Sequence, residues 1–380
     1  MKMNPKEKFK LFKQSKNFCS TPWHLLYIDE QSDVYTCSWG KEKLGSLKTD
    51  TIEEIASSKP RLKIQQSTIN DCVDDNCTKC MAHEKPEVNY GFIRNMYNKQ
   101  YVKIYANYHN ETFVLGGLDL HWSSTCDLKC ITCYAKQSSS IAIEQGIKPN
   151  HTPSDVAYKF IDWVIENQRT LQEIYLSGGE PTLIKYNLNL LQRLDKRTDL
   201  LIRVNTNMMW QQDNAIIQEI LKFPNVLFTC SADDTGDRFN YIRRGASWDK
   251  FISNLNYLQS HENVNVRINS VFFVSSATTI TNTIDYFYNN HGIRDFTINQ
   301  CAFGHTYLQC RNLSDNIKQQ AKDKLIQALE RYSTDFNLVG SFNNCICELD
   351  HCKEEDYKDY FEHIDHLEGT DWKLVFKELV

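Results

Sequence analysis

The 380-residue sequence lacks any long apolar run and any strong excess of one charge. Nowhere do about 18 apolar residues follow one another, the length that a membrane-spanning helix needs, so we expect no membrane span. No apolar signal region follows the Lys-rich start of the chain, so we expect a cytoplasmic protein rather than a secreted one. The net charge of −5 and the isoelectric point near 6.1 give no bulk electrostatic reason to expect a nucleic acid as a partner.

Hydrophobic and cysteine residues, in contrast, are plentiful. Hydrophobic residues make up 41% of the chain and aromatic residues 12%, enough for a packed core, and the length allows one large domain with a smaller one. The 14 cysteines would suggest disulfides in a secreted protein. In a reducing cytosol clustered cysteines are more often metal ligands. We therefore interpret the clustered cysteines as metal ligands.

Three of these cysteines lie in one short loop. Cys126, Cys130 and Cys133 form a C-x3-C-x2-C pattern directly after a predicted strand at residues 118–122. Their thiolates can converge on one metal centre without supplying a fourth ligand. A structural zinc site takes four protein ligands, whereas an iron–sulfur cluster bound by three thiolates keeps one iron with an open position. The pattern therefore favours an iron–sulfur cluster at which a small molecule can bind.

From residue 116 onward, strand-like and helix-like segments alternate, which predicts parallel βα units. Six such units are too few to close an eight-stranded barrel, so we expect an α/β fold with an incomplete barrel. The predicted strands cover residues 118–122, 173–176, 200–204, 226–231, 264–273 and 296–299. Parallel barrels carry their chemistry in the loops that follow the strands. The polar and cysteine motifs of this region all follow the first four strands, so we expect them at one edge.

Two of these motifs together resemble the radical S-adenosylmethionine (SAM) superfamily. They are the triple-cysteine loop after the first strand and the sequence Ser-Gly-Gly-Glu-Pro, residues 177–181, after the second. The resemblance implies a partial (βα)6 TIM-like barrel of the radical SAM type. It also implies that Cys126, Cys130 and Cys133 bind a 4Fe–4S cluster, whose open iron is chelated by the amino and carboxylate groups of SAM. Such an enzyme reductively cleaves SAM to a 5′-deoxyadenosyl radical, which abstracts a hydrogen atom from the substrate.

The same resemblance implies a SAM-binding role for several residues beside the cluster. Gly178 and Gly179 allow a close backbone approach to a ligand and positive φ angles, and Glu180 is expected to bind the ammonium group of SAM. The residue before the third cysteine is usually aromatic and touches the adenine. Here that residue is Thr132, and Tyr134 is the candidate to replace the contact.

Further polar residues follow the third and fourth strands. Asn207 and Ser231 are candidates for hydrogen bonds to the ribose or the carboxylate of SAM, with helix capping as the alternative. Arg243 is a candidate to bind a carboxylate, and we expect only one of Arg243 and Arg244 to point inward. Asp233 is a candidate to take a proton or to orient the substrate, although acidic residues are also favoured at helix N-termini.

Cys230, on the fourth strand, allows two interpretations. It could donate a hydrogen atom to a substrate radical, or it could be a buried core cysteine. The second interpretation is favoured, because free cysteine is among the most buried residue types.

A second group of cysteines lies in residues 18–84, where two short strands and a helix are predicted. With the triple-cysteine loop downstream, this block resembles the twitch module, a shortened form of the SPASM extension that carries one auxiliary iron–sulfur cluster. The resemblance implies four ligands, Cys19, Cys37, Cys77 and Cys80, with structural zinc as the alternative. Cys72 is a fifth thiol, which we interpret as a spare core cysteine; a swapped ligand or an open cluster position are the alternatives.

The sequence thus predicts five segments. They are a basic arm at residues 1–17, the twitch module at 18–84, a bridging helix at 85–115, the partial barrel at 116–310 and a C-terminal helical extension at 311–380. Tyrosines 97, 101, 105 and 108 recur at helical spacing in the bridging segment and are expected in its core. Cys345, Cys347 and Cys352 are interpreted as structural or incidental cysteines.

The predicted function is a radical SAM oxidoreductase or modifying enzyme with two 4Fe–4S clusters, one binding SAM and one auxiliary. An auxiliary cluster favours a net oxidation, so the expected reaction is the oxidative modification of a peptide or protein. The alternatives are the dehydrogenation of a sugar or aminocyclitol and, more remotely, a non-enzymatic zinc-binding interaction protein. An external electron donor such as flavodoxin or ferredoxin is the expected partner.

Overall fold

A nine-stranded sheet organises the chain. It is seen in a computed structural model that describes residues 17–83, 93–107, 113–300, 305–352 and 355–380. Its strand order is β3-β2-β1-β4-β5-β6-β7-β8-β9. The strands are β1 Leu25–Ile28, β2 Asp33–Tyr35, β3 Gly45–Ser46, β4 Gly117–Leu120, β5 Glu173–Leu176, β6 Leu201–Thr206, β7 Val226–Ser231, β8 Val264–Phe272 and β9 Asp295–Gln300.

Strands β4 to β9 form the partial barrel. Each pairs in parallel with the next strand along the chain, and helices alternate with the strands. The predicted incomplete, six-stranded α/β barrel is therefore confirmed. Strands β5 and β7 have their predicted bounds, and the ends of the other four strands differ from prediction by at most two residues. The helices of this region are α6 Ser139–Glu144, α7 Ser154–Asn167, α8 Lys185–Arg193, α9 Ala215–Ile220, α10 Gly236–Ile242, α11 Trp248–Gln259 and α12 Ile280–Asn290.

The two faces of the barrel sheet differ in polarity. Successive side chains of a strand point to opposite faces, and one set is apolar and fully buried: Leu118, Leu120, Ile174, Leu176, Ile202, Val204 and Phe228. Apolar side chains of the surrounding helices join this set in one hydrophobic core. The other set is largely polar and includes Asp119, Tyr175 and Arg203. This second set lines the inner, concave side of the sheet.

The N-terminal segment continues the barrel sheet, which was not predicted. Strand β1 pairs in parallel with β4, from Leu25 opposite Gly117 to Ile28 opposite Leu120, and antiparallel with β2. Four helices accompany this hairpin: α1 Thr21–His24, α2 Ile52–Ala56, α3 Lys59–Ile69 and α4 Thr78–His83. Thr51 and Glu54 form a capping box that starts α2.

The predicted bridging helix is α5, Ile93–Asn107, and it packs against the first residues of β4 and β5. Its Tyr97 and Tyr101 are buried and stack with ring centroids 5.9 Å apart. A Cβ atom at Gly117 would lie 1.9 Å from the Tyr101 hydroxyl, so only glycine fits there. The side chain of Tyr105, and Tyr108 as a whole, lie outside the described residues.

Four helices form the C-terminal part: α13 Asp315–Arg331, α14 Phe336–Leu349, α15 Lys358–Glu368 and α16 Trp372–Val375. Cys345 is buried in the core, whereas Cys347 and Cys352 are exposed. Within the described ranges every cysteine is free of a disulfide bond. No helix of those ranges is both long and apolar enough to span a membrane.

Candidate active site

The triple-cysteine loop follows β4 and is fixed on one side by a run of serines at the start of α6. The Cys126 amide donates a hydrogen bond to Ser139 Oγ at 3.0 Å. The Cys126 carbonyl accepts hydrogen bonds from the hydroxyls of Ser139 and Ser140, at 3.1 and 2.7 Å. Ser138, the N-cap of α6, donates to the Leu128 carbonyl at 2.6 Å. These contacts set the backbone path on which the thiols are displayed.

On its other side the loop is bound by the end of α10 and by the C-terminal region. Lys129 and Ile131 donate their amides to the carbonyls of Arg244 and Ile242, at 3.0 and 2.9 Å. Tyr360 of α15 donates its hydroxyl to the Ile131 carbonyl at 3.0 Å, and His305 Nε2 lies 2.8 Å from the Cys133 carbonyl. Residues far along the sequence therefore hold the loop, and nothing in the cysteine spacing predicted them.

The three thiols lie close enough to affect one another. Burial raises the pKa of Cys126, and the neighbouring Cys130 thiolate raises it further. Burial and Cys130 likewise raise the pKa of Cys133 to about 12. Buried thiols that lie this close together lose their protons only when a positive charge is nearby. Cationic iron would supply it, so the residues fit a cluster bound by three cysteines.

The Gly-Gly-Glu turn packs directly on this loop. The Gly179 amide donates to the Ser123 carbonyl at 2.9 Å, and the Glu180 amide to the Thr125 carbonyl at 2.6 Å. Gly178 has a φ of +104°, and a Cβ atom at Gly179 would lie 2.1 Å from the Thr125 oxygen. The close approach that requires these glycines is therefore an approach to the cysteine loop itself.

Glu180 is buried and ties this turn to the end of β6. Its carboxylate accepts hydrogen bonds from the Thr182 hydroxyl at 2.8 Å, from the Thr206 hydroxyl at 3.0 Å and from the Asn207 amide at 2.8 Å. Burial raises the pKa of Glu180 to about 7, against the opposing effect of these donors. The expected contact of Glu180 with the SAM ammonium group stays a prediction.

Arg243 is the cation beside the cysteine loop. Its Nη1 lies 3.9 Å from Cys130 Sγ, and its Nη2 forms an ion pair of 2.9 Å with the fully buried Asp233. Arg244 turns the other way and pairs with Glu144, at 2.7 Å, and with Glu368. Asp233, a candidate for proton transfer in the sequence, is thus engaged as the partner of Arg243.

The other four residues predicted for the site, Asn207, Ser231, Tyr134 and Cys230, each lie in a different environment. The Asn207 side chain donates to Asp127 at 2.8 Å and accepts from the Met209 amide at 2.8 Å. Ser231 ends β7 opposite Asn269, and Tyr134 follows the last cysteine, with its pKa raised by burial. Cys230 is fully buried within the hydrophobic core, the interpretation favoured from the sequence.

The N-terminal cysteines are also brought together. Cys19, Cys37, Cys77 and Cys80 line one pocket. Burial and the neighbouring thiolates of Cys19 and Cys80 raise the pKa of Cys37 to about 12. The pKa of Cys77 is raised by burial and by the other three thiols. Four thiols separated by up to about sixty residues thus meet at one place, as expected for ligands of one centre.

Cys72 is exposed, so its interpretation as a core cysteine was wrong. It lines the same pocket as the four other thiols. Helix α3 ends at Ile69, and Asp71 then takes a left-handed φ of +57°, which turns the chain outward before Cys72. This turn was not predicted, because left-handed backbone is uncommon for residues other than glycine.

A polar stretch that was not predicted as part of the site lies on the inner face beside these residues. His121 Nε2 lies 3.2 Å from Asp119 Oδ1, and the His121 ring packs against Tyr27 and Tyr175 with centroids 5.0 and 6.3 Å apart. The signal was present in the alternation Leu-Asp-Leu-His-Trp at residues 118–122, which places polar side chains on one face of a buried strand.

Comparison with protein families identifies two regions of the chain. The profile of the radical SAM superfamily matches residues 120–274, and the SPASM profile, an iron–sulfur cluster-binding domain, matches residues 19–81. No curated protein matches the chain. Radical SAM domains use a 4Fe–4S cluster and SAM, and SPASM domains bind iron–sulfur clusters, so the cofactor prediction is confirmed at this level.

Several solved structures are similar at low sequence identity. Native anSMEcpe with bound AdoMet is 16% identical, with 58% of this chain and 62% of that chain covered and a TM-score of 0.44. Streptococcus suis SuiB bound to precursor peptide SuiA is 17% identical, with 72% and 58% covered and a TM-score of 0.42. The chain thus spans about three fifths of the length of these relatives.

Both parts of the predicted resemblance agree with these findings. The residues matched by the radical SAM profile contain the cysteine loop and the Gly-Gly-Glu turn, and those matched by the SPASM profile contain the N-terminal cysteines. The chain therefore carries a domain of the radical SAM superfamily and, ahead of it, an iron–sulfur cluster-binding domain of the SPASM type.

Proposed function

We propose that this chain is a radical SAM enzyme that oxidatively modifies a peptide or protein. The observation that carries the proposal is the triple-cysteine loop, packed against the Gly-Gly-Glu turn at the carboxyl edge of an incomplete parallel barrel. Reductive cleavage of SAM to the 5′-deoxyadenosyl radical, which abstracts a substrate hydrogen, is the chemistry that the cluster and SAM would supply together.

Residues of the chain would bind the cluster and keep its loop in place. Cys126, Cys130 and Cys133 would bind three irons of the cluster and leave the fourth open for SAM. The hydrogen bonds that Ser138–Ser140 and Tyr360 donate to the loop, and those that the loop amides donate to carbonyls at the end of α10, keep the loop in one conformation. Such preorganisation matters because a reactive radical must meet one substrate C–H bond and no other group.

The auxiliary site would take Cys19, Cys37, Cys77 and Cys80 as ligands of a second 4Fe–4S cluster. Because β1 pairs directly with β4, this site lies beside the barrel strands. A second cluster would supply an electron acceptor beside the substrate, and on this ground the proposed reaction is a net oxidation. An external donor such as flavodoxin or ferredoxin would supply the electron for SAM cleavage.

Anaerobic reconstitution with iron and sulfide tests the proposal. We expect a brown protein with about eight iron atoms per chain, which forms 5′-deoxyadenosine from SAM when a reductant is added. The Cys130→Ala variant should lose about half of the iron and all SAM cleavage. The Cys347→Ala variant is the control, because this exposed cysteine lies far from both groups along the chain.

A colourless protein that binds zinc alone would contradict the proposal and support the zinc-binding alternative. Release of 5′-deoxyadenosine by the Cys130→Ala variant at the wild-type rate would show that the ligand assignment is wrong.

A further inference from the structure

One level of the inner barrel face carries four polar side chains from four adjacent strands. His121 and Ser177 follow β4 and β5 directly, Asn205 lies on β6 and Thr229 on β7. Asn205 pairs with Thr229 in the register of the sheet, and Ser177 follows the pair formed by Leu176 and Val204. The four residues therefore form a lateral row, which we call the polar row.

Each residue of the polar row has a buried atom without a hydrogen-bond partner in the described part of the chain. The atoms are His121 Nδ1, Ser177 Oγ, Asn205 Oδ1 and Thr229 Oγ1. Buried polar groups in native proteins are nearly always paired, because an unpaired group forfeits its hydration. Four unpaired atoms in one row therefore need a partner from outside the chain.

The levels above and below the polar row are occupied by the protein's own contacts. One level toward the cysteine loop, Asn207 bonds to Asp127 and the Met209 amide. One level in the other direction, Arg203 pairs with Glu173 at 3.0 Å and lies over the Tyr175 ring at 3.9 Å. A ligand that enters the barrel therefore meets, in the polar row, buried protein groups that have no hydrogen-bond partner within the described residues.

The length of the polar row limits the kind of ligand. Neighbouring strands lie about 4.8 Å apart, so four strands extend about 14 Å along the sheet. A single sugar or cyclitol ring cannot reach that far. An extended peptide advances about 3.3 Å per residue and offers an N–H and a C=O group at each residue. Asn205 Oδ1 needs a donor such as an amide N–H, whereas the hydroxyls and the imidazole can pair with either group.

The end of the row points to the SPASM-type domain. The His121 ring packs on Tyr27 of β1, whose ring in turn packs on Tyr35 of β2. Both tyrosines belong to the region matched by the SPASM profile. A ligand longer than the row would therefore continue over an aromatic surface of that domain, as a peptide can and a single ring cannot.

We propose that the polar row binds the main-chain amide groups of an extended substrate peptide, one level below the cysteine loop. This inference rests on the proposed function and specifies its substrate. It gives His121, Ser177, Asn205 and Thr229 the role of substrate-binding residues, and it favours the peptide over the sugar or aminocyclitol.

The first test compares two Thr→Val variants on neighbouring strands. The Thr229 hydroxyl makes no bond within the described residues, so Thr229→Val should leave Tm unchanged or raise it. The Thr206 hydroxyl donates to Glu180 and accepts from the Met208 amide, so Thr206→Val should lower Tm. An equal loss of Tm in both variants would show that Thr229 is bound within the protein and would overturn the proposal.

The second test measures binding, with reconstituted protein and SAM but no reductant. A display library of random linear peptides is selected on the wild-type protein, and the enriched peptides are then measured on Thr229→Val and Asn205→Ala. We expect each substitution to weaken peptide binding about fivefold, because each removes one hydrogen bond. SAM affinity should not change.

Three results would overturn the proposal. They are the absence of enriched peptides, equal peptide affinity in wild-type and variants, and a loss of SAM affinity in the variants, which would assign the row to the cofactor. Saturable binding of myo-inositol or glucose that Thr229→Val abolishes would instead favour the small-molecule alternative. Since no reductant is present, these outcomes are separate from a failure to cleave SAM, which would contradict the proposed function.

Discussion

The two cysteine groups of this protein are built in opposite ways. Cys126, Cys130 and Cys133 come from one loop, and hydrogen bonds from α6, α10 and α15 fix its backbone. The N-terminal thiols come from four places between residues 19 and 80 and meet only because β1, β2 and α4 pack together. The cysteines of the first group are neighbours in the chain, whereas those of the second group are brought together only by the tertiary structure.

The two cysteine groups also differ in the charged residues and in the additional thiols that lie beside them. A buried arginine, Arg243, lies beside the first group and is held by Asp233. The second group has a fifth thiol, Cys72, exposed at its edge. A site with a fixed ligand number and a nearby cation suits a cluster that must be reduced, because positive charge favours the reduced state. The following predictions test this contrast.

The largest effect is expected from removing one ligand of each group. Cys126→Ala should abolish SAM cleavage, because the cluster would lose one of only three ligands. Cys77→Ala should spare at least part of the uncoupled cleavage, because the auxiliary site does not bind SAM in the proposed arrangement. Liquid chromatography of 5′-deoxyadenosine measures both. Equal loss in the two variants would mean that the sites depend on each other.

The next effect concerns Arg243. Arg243→Gln should lower the midpoint potential of the SAM-binding cluster, because a positive charge 3.9 Å from Cys130 Sγ stabilises the reduced, more negative state. Thermal unfolding of the variant should accompany the redox measurement, since Asp233 left buried without its partner would destabilise the fold by about 3–5 kcal/mol.

Arg244→Gln is the matched control for that measurement. It removes the same charge from the next residue, which pairs with Glu144 and Glu368 instead of approaching a thiol. A redox titration followed by electron paramagnetic resonance should show a smaller shift. Equal shifts in both variants would mean that net charge, and not the contact with Cys130, sets the potential.

Glu180 should give an intermediate effect on stability that depends on pH. Burial raises its pKa from 4.5 to about 7 in the folded protein, so the folded state binds more protons than the unfolded state between those values. The contribution of Glu180 to stability is full below pH 4.5 and falls as pH rises toward 7, by up to about 3 kcal/mol. Glu180→Gln should lack this dependence, so thermal unfolding of both proteins across this range should show wild-type Tm decreasing relative to the variant.

The smallest effect is expected at Cys72. Cys72→Ala should leave the iron content and the spectrum of the auxiliary cluster unchanged, because four other thiols line the same pocket. Cys80→Ala is the control and should lose the auxiliary iron. If Cys72→Ala loses iron to the same extent, Cys72 is a ligand and one of the four assigned cysteines is not.

Much of the barrel could be predicted because its signals are local. All six parallel strands were predicted from the alternation of strand-like and helix-like segments, since the residues that favour a strand lie together in one short stretch of the chain. The cysteine spacing and the Gly-Gly-Glu turn were likewise readable, because the residues of each motif are neighbours in the chain.

The parts that were missed depend on distant contacts. The pairing of β1 with β4, the hydrogen bond from Tyr360 to the cysteine loop and the outward turn before Cys72 leave no pattern in a short stretch of residues. The glycines of the Gly-Gly-Glu turn were recognised, but their contact with Thr125 was not, because it joins two loops.

By itself the sequence determined the order of strands and helices, the presence of two cysteine groups and the radical SAM resemblance, since periodicity and motif spacing are properties of the chain alone. Only the tertiary structure decided that Arg243 rather than Arg244 faces Cys130, that the N-terminal hairpin extends the barrel sheet, and that four polar atoms line up across four strands. The physical reason is that side-chain partners and sheet register are fixed by the packing of segments far apart in sequence, and no single segment contains that information.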